Sequence, residues 1–169
     1  MKTIEVYCGT YGKYAAGSID GKWLDLSDYA DMDEFLEACA ELHKDEHAPE
    51  FMFQDISNET NFPCSGEPGL DEIEKMIEFL QLDEHERELV EAYLEVMDDR
   101  VSIEEALREA EDYCSGQNDD FDDWAAELAE ECFCDIKDSP LWNYFDYEKW
   151  ARDLSLEYIQ ASNGIIFRR

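Results

Sequence analysis

The sequence predicts an α+β fold, because segments with the composition of strands lie at both ends of the chain and helical patterns fill its centre. Residues 3–8 (TIEVYC) and 51–56 (FMFQDI) are rich in β-branched and aromatic residues, as strands are. Residues 70–114 instead place apolar side chains at helical spacing. With 169 residues, 44% of them hydrophobic, the chain is long enough for one compact domain or roughly two to three small ones.

The first predicted domain, residues 1–61, is a β-hairpin followed by a helix and a third strand. The first strand leads through a segment rich in Gly and Tyr to a strand-like run around Trp23 and Leu24, and a hairpin is the simplest interpretation. Residues 31–45 have the apolar spacing of a helix. Residues 61–69 (NFPCSGEPG) contain two prolines and two glycines, so we place a domain boundary there.

The second predicted domain, residues 62–103, is helical, and the third, residues 104–169, is again mixed α and β. Three helical patterns follow the boundary, at residues 70–82, 83–97 and 102–114. Ser102 opens the last of them in a capping box. The C-terminal part has a further helix around residues 147–155, and Asn163-Gly164 is the strongest hairpin signal in the chain.

Charge is the dominant property of the sequence: 45 acidic residues against 13 basic ones give a net charge of −32. Residues 67–138 hold −22 of it, residues 1–66 hold −10, and residues 139–169 have no net charge. A disordered polyanion is excluded, because 13% of the residues are aromatic. A salt-adapted protein would spread its acids evenly over its surface, and the neutral last segment argues against that alternative.

The most acidic segment, residues 117–135 (QNDDFDDWAAELAEECFCD), contains eight carboxylates and no lysine or arginine. An apolar stripe at helical spacing makes it an amphipathic helix, formed by Phe121, Trp124, Ala125, Leu128, Ala129, Cys132 and Phe133. Asp120 is the expected N-cap of this helix. Beyond the first turn, like charges repel by roughly 0.2–0.5 kcal/mol per pair. Folding alone therefore does not favour the glutamates found there.

A net charge of −32 equals that of roughly 54 Å of duplex DNA, which carries about one charge per 1.7 Å of its axis. The helices predicted at residues 70–82 and 83–97 also carry glutamates away from their apolar sides. We therefore predict an acidic partner-binding surface on these helices and on the acidic segment. The candidate residues are Glu74, Glu78, Glu84, Glu88, Glu91, Glu95, Asp119, Asp120, Asp122, Asp123, Glu127, Glu130 and Glu131.

The sequence contains no motif around which an enzyme or a metal site would be built. His43 and His47 have the spacing of two zinc ligands, but Lys44 replaces the glutamate of H-E-x-x-H. The Asp run at 119–123 lacks the glycine and the final glutamate of a calcium loop. Glycine-rich phosphate loops and the G-x-S-x-G elbow are also missing from the sequence. We therefore predict no catalytic residue, no metal and no cofactor.

Cysteine usage and hydropathy place the protein in a reducing compartment. The six cysteines include no C-x-x-C pair, so we interpret them as reduced thiols that mostly pack in the interior. No window approaches eighteen apolar residues, and the N-terminus has no apolar run of a signal peptide. We expect a soluble cytoplasmic protein that binds neither membrane nor nucleic acid.

The sequence resembles the ArdA family of antirestriction proteins over most of its length. The resemblance rests on residues 6–26 (VYCGTYGKYAAGSIDGKWLDL), 33–56, 144–154 (YFDYEKWARDL) and 164–167 (GIIF). Its most specific N-terminal positions are Tyr7, Gly9, Tyr11, Lys13, Tyr14, Gly17, Trp23 and Leu24. Its C-terminal positions are Tyr147, Ala151, Arg152, Asp153 and Leu154. Residues 124–136 (WAAELAEECFCDI) lie where the antirestriction motif of the family is expected.

The resemblance implies a non-enzymatic DNA mimic, encoded on a mobile genetic element, that occupies the DNA groove of type I restriction-modification enzymes at their methyltransferase core. It also implies an elongated chain of three small domains and a homodimer. Because residues 139–169 carry no net charge, we expect the dimer interface there, on apolar surface that includes Leu141, Trp142, Tyr144 and Phe145. An acidic adaptor or chaperone for a basic protein is the alternative function.

Overall fold

The computed structural model describes residues 2–97 and 101–169, and the chain divides into two compact units, Met1–Arg87 and Glu88–Arg169. Each unit combines a three-stranded antiparallel sheet with helices, so the predicted α+β class is confirmed. The strands are β1 (Ile4–Thr10), β2 (Lys22–Asp25), β3 (Phe51–Asn58), β4 (Cys114–Gln117), β5 (Tyr158–Gln160) and β6 (Ile165–Arg168). The helices are α1 (Tyr11–Ala15), α2 (Met32–Leu42), α3 (Leu70–Gln81), α4 (Glu84–Val96), α5 (Ile103–Tyr113), α6 (Phe121–Cys132) and α7 (Tyr147–Leu154). The division into three domains stays a prediction.

The first unit is built on a sheet with the strand order β2-β1-β3. The central strand β1 pairs antiparallel with both neighbours, so that Val6 lies opposite Leu24 on one side and Ile56 on the other. Helix α2 buries Phe35, whose ring packs at 5.6 Å from that of Phe53 on β3. This contact joins the helix to the sheet and is part of the apolar core of the unit.

The predicted hairpin of β1 and β2 is present, but helix α1 lies in its connection. The Thr10 hydroxyl caps α1 by accepting a bond from the Lys13 N–H at 3.2 Å. The Lys13 ammonium then contacts Asp45 at 3.1 Å and Nδ1 of His43 at 3.2 Å. Five residues are too few to show an apolar period, and these partners lie about thirty positions away, so the sequence pattern did not indicate the helix.

The three helices predicted in the centre of the chain are confirmed as α3, α4 and α5. The predicted cap of α5 is confirmed as well, since the Ser102 hydroxyl accepts a bond from the Glu105 N–H at 3.2 Å. Helix α3 buries one side that includes Ile73 and Met76. Among the helices of the described ranges, none combines the length and the hydrophobicity needed to cross a membrane.

The second unit has a sheet with the strand order β4-β6-β5, on which α6 and α7 pack. The predicted hairpin is confirmed, since β5 and β6 pair antiparallel with Ile159 opposite Phe167. Trp150 of α7 donates its indole N–H to the Ala125 carbonyl of α6 at 2.7 Å. Strand β4 was not predicted, because its sequence CSGQ has little strand propensity and its pairing with β6 is distant in sequence.

Gly164 closes the β5–β6 hairpin, and we expect Gly164→Ala to destabilise the protein by about 2 kcal/mol or more. Its φ is +84°, a left-handed conformation that costs other residues roughly 1–2 kcal/mol, and a Cβ there would meet the Asn118 carbonyl oxygen at 2.5 Å. Gly17 is the matched control, since its φ is +82° but nothing lies within 4 Å of the added Cβ. Gly17→Ala should therefore cost only the conformational part. Urea denaturation measures both losses, and equal losses would show that the Asn118 contact is unimportant.

Candidate functional site

Helix α6 begins at the acidic cap that the sequence predicts. The Asp120 carboxylate accepts bonds from the N–H groups of Asp122 at 2.8 Å and Asp123 at 3.4 Å. The carboxylates of those two residues also lie in the first turn, where the helix dipole favours negative charge. The cap made by Asp120 and the helix dipole together explain why this helix tolerates three acids at its start.

The apolar side of α6 packs on the second sheet and on α7. Its cluster consists of Trp124, Ala125, Ala151 and Ile166, with Phe121, Leu128, Trp150, Leu154 and Tyr158 packed against it. Ala129 is also fully buried, whereas Cys132 at the end of the helix is exposed. The predicted apolar stripe is therefore confirmed as far as Ala129 and wrong at Cys132, whereas Phe133 is half-buried and packs on Trp150 with ring centroids 5.5 Å apart.

The opposite side of α6 and its entry loop are acidic and exposed. Five candidate carboxylates there make no hydrogen bond or ion pair with any described residue: Asp119, Asp122, Asp123, Glu127 and Glu131. Glu130 differs, since its carboxylate pairs with the Lys137 ammonium and thereby raises the pKa of Lys137. Glu130 is therefore partly neutralised by the chain itself.

Helices α3 and α4 add four exposed glutamates that are likewise without such a partner in the described chain: Glu74, Glu78, Glu84 and Glu88. With the five residues at α6 they make a set of nine, which we call the open carboxylates. No lysine or arginine among the described residues pairs with them. They are the part of the acidic surface that is available to a partner.

Glu91 does not lie on the exposed row that the sequence predicts along α4. It is 8% exposed, and the six consecutive residues from Leu89 to Leu94 are all buried. The pattern assumes a helix with one buried side, whereas the middle of α4 is buried all round. The predicted exposure is therefore wrong at Glu91, and its carboxylate is not open to a partner surface.

Glu95 is exposed but already has partners within the second unit. Its two carboxylate oxygens each lie 3.2 Å from the Ser162 N–H, and one of them accepts the Ser162 hydroxyl at 2.8 Å. The Asn163 amide also donates to the Glu88 backbone carbonyl at 3.1 Å. These bonds fasten the turn of the β5–β6 hairpin to α4. Sequence reasoning missed them because 67 positions separate Glu95 from Ser162.

The two histidines considered as zinc ligands have different surroundings. His43 is buried, with Nδ1 at 3.2 Å from the Lys13 ammonium and Nε2 at 3.2 Å from the Cys8 carbonyl oxygen, whereas His47 is exposed. An ammonium beside the ring excludes a cation from that nitrogen, so His43 serves as a hydrogen-bond partner. Within residues 2–97 and 101–169, no three or more His, Cys, Asp or Glu side chains are grouped to hold a metal ion.

All six cysteines are free thiols, but only some of them pack in the interior. Cys8 and Cys39 are buried, and the hydrogen bond that the Cys39 thiol donates to Cys8, together with burial, raises the pKa of Cys39, so this thiol stays protonated. Cys114, Cys132 and Cys134 are exposed. The interpretation that most cysteines pack is therefore wrong for these three residues.

The four apolar residues predicted at a dimer interface separate into two kinds. Leu141 and Tyr144 are 66% and 86% exposed. Trp142 and Phe145 are half-buried and stack on each other with ring centroids 4.9 Å apart. Apolar surface is thus present in the neutral segment, carried by the first pair, while the second pair packs within the unit. The homodimer itself stays a prediction.

We expect Glu95→Ala to destabilise the second unit by about 1 kcal/mol, because Ser162 loses both of its acceptors at a partly solvated position. Glu88→Ala is the matched control on the same helix, since it removes one open carboxylate and leaves its backbone carbonyl bond intact. It should change stability by less than about 0.5 kcal/mol. Urea denaturation and hydrogen exchange of the Ser162 amide measure the difference, and equal effects would contradict the role of Glu95.

Two comparisons with known proteins bear on the family to which the chain belongs. Among curated proteins, none matches this chain significantly. The sequence model of the family described as antirestriction protein (ArdA) matches residues 6–167, which is nearly the whole chain. The match therefore includes the N-terminal strands as well as the acidic helix α6. The chain belongs to the ArdA family of antirestriction proteins.

Proposed function

We propose that this protein is a DNA mimic that inhibits type I restriction-modification enzymes by occupying their DNA-binding groove. The observation that carries the proposal is the set of nine open carboxylates, which α3, α4 and the α6 segment expose with no countercharge among the described residues. In the complex, the countercharges would be the lysines and arginines that otherwise bind DNA phosphates. The family match supports an inhibitor of restriction.

The spacing of the open carboxylates determines how such mimicry can work. Three pairs are four residues apart on their helices: Glu74 and Glu78, Glu84 and Glu88, Glu127 and Glu131. Four residues of an α-helix rise by about 6 Å. One strand of duplex DNA advances by about 3.4 Å per phosphate. A single helix therefore reaches roughly half the linear charge density of one strand, so more than one helix must act on the same partner.

The energetics of the proposed complex are distributed over many contacts. An exposed ion pair contributes about 0.2–1 kcal/mol, so no single open carboxylate decides the affinity. The summed negative field accelerates the encounter with a basic groove, and the release of counterions favours binding. Inhibition then requires neither a catalytic residue nor a metal or cofactor, since the protein acts by blocking access to DNA.

We further propose that the methyltransferase core of the enzyme is the surface contacted, and that the inhibitor acts in the cytoplasm as a homodimer. The exposed side chains of Leu141 and Tyr144 support an interface in the neutral segment, since two copies can meet there without pressing acidic helices together.

Replacing Glu74, Glu78, Glu127 and Glu131 together with Gln should weaken binding to the enzyme by about fivefold to a few hundred-fold, because four small contributions add. Glu127→Gln alone should cost less than about fivefold. The measurement is a titration that displaces labelled duplex DNA from a type I methyltransferase core at several salt concentrations. Affinity should also fall with increasing salt, and more steeply for the unmodified protein than for the quadruple variant.

The matched control removes the same number of charges, two from each compact unit, at exposed acids elsewhere: Asp28, Glu37, Asp153 and Glu157. Replacing these four acids with the corresponding amides changes the net charge equally, and we expect the affinity for the enzyme to fall by no more than about twofold. Equal losses in the two variants would contradict a defined mimic surface. A protein that bound the enzyme without displacing DNA would instead be an acidic adaptor, which is the alternative function.

A further inference from the structure

A groove in the first unit is formed by α1, the first half of strand β3 and the segment that leads into α3. Its volume is about 800 Å³, within the range of ligand pockets. Strand β3 is an edge of the sheet, so the groove runs beside a strand that pairs on one side only. We call it the tyrosine groove, and its lining includes Tyr11, Tyr14, Glu50, Met52, Glu67 and Leu70.

The lining of the tyrosine groove combines aromatic surface with negative charge. Tyr11 and Tyr14 are 52% and 59% exposed, and their spacing of three residues places both rings on the same side of α1. Glu50 and Glu67 are exposed carboxylates in the same lining. Among the described residues that line the groove, none is basic. Open aromatic faces beside carboxylates are the surroundings that a cationic side chain favours.

Lys13, the one basic residue of α1, directs its ammonium away from the tyrosine groove. The Lys13 ammonium contacts Asp45 at 3.1 Å, Asp20 at 3.3 Å and His43 at 3.2 Å, and its side chain is only 14% exposed. The hydrogen bond that Lys13 donates to Asp45, with its positive charge, lowers the pKa of that carboxyl. These bonds fix α1 and leave the tyrosine groove without an internal cation. The helix that carries the two rings is therefore held in place before any ligand arrives.

We propose that the tyrosine groove binds an arginine side chain carried on an extended segment of a basic protein partner. A guanidinium stacks on tyrosine faces and offers planar N–H donors to the two carboxylates, which a lysine ammonium does less well. The proposal goes beyond the summed field of a DNA mimic, because it assigns a short-range site that distinguishes arginine from lysine. The identification of the restriction enzyme as the source of the arginine rests on the proposed function. The binding of an arginine peptide to the groove is independent of it.

The test uses the full chain and two short capped peptides of equal charge, one with two arginines and one with two lysines, titrated by calorimetry at physiological salt. The arginine peptide should bind about two- to fivefold more tightly. Tyr11→Leu/Tyr14→Leu leaves the net charge unchanged and should abolish that preference. Tyr14→Phe keeps the aromatic ring and should retain the preference for arginine. This variant separates the loss of a ring from a loss of folding.

Tyr113→Leu is the control, since it removes an exposed ring from the other unit and should leave the arginine preference intact. Equal affinity for the two peptides, or a preference that survives Tyr11→Leu/Tyr14→Leu, would overturn the proposal, because the peptide would then be bound by acidic surface in general. Displacement of DNA from the enzyme is measured separately on the same variants, so that failure of the groove and failure of the mimic are told apart.

Discussion

Forty-five carboxylates on a chain of 169 residues repel one another, and folding brings them closer together than they are in the unfolded chain. The structure reduces this repulsion by giving some acids a local partner. Asp31, Asp120 and Asp146 cap α2, α6 and α7, each accepting bonds from backbone N–H groups. Asp83 and Glu86 cap the start of α4 reciprocally, each accepting a bond from the N–H of the other. Acids placed this way stabilise their helices.

The remaining acids define what the surface can do. Glu95 and Glu130 are bound by Ser162 and Lys137, and Glu91 is buried, so these three candidates contribute less to an external field than their formal charges suggest. The open carboxylates have no such attachment among the described residues, and they repel their neighbours in the free protein. Removing charge from those that lie beyond the first turn of a helix should relieve the fold and weaken partner binding, whereas removing it from Glu95 should weaken the fold. The change in stability on substitution therefore distinguishes acids that stabilise the fold from acids that are free to bind a partner.

The features that the sequence predicted are those decided within about one helical turn. The Asp120 and Ser102 caps, the core side of α6 and the Asn163-Gly164 hairpin depend on neighbours three or four residues away, and the structure contains all of them. The features it missed depend on distant partners. Strand β4 forms because β6 pairs with it, and the partners of Lys13 and Glu95 come from distant segments. The exposure predicted for the α4 glutamates is wrong at Glu91. Hydrophobic periodicity identifies one buried side of a helix and cannot show that the helix is buried all round.

A field of carboxylates and a groove for one side chain would contribute different properties to the same complex. The field acts over about 8–10 Å at physiological salt, so it accelerates encounter without fixing how the partners dock. Contacts to base edges give DNA-binding proteins their sequence specificity, and a mimic without bases has no equivalent. An arginine bound in the tyrosine groove would supply a specific short-range contact, since stacking and planar hydrogen bonds require one orientation. Long-range attraction would then set the association rate, and the tyrosine groove would lower the dissociation rate.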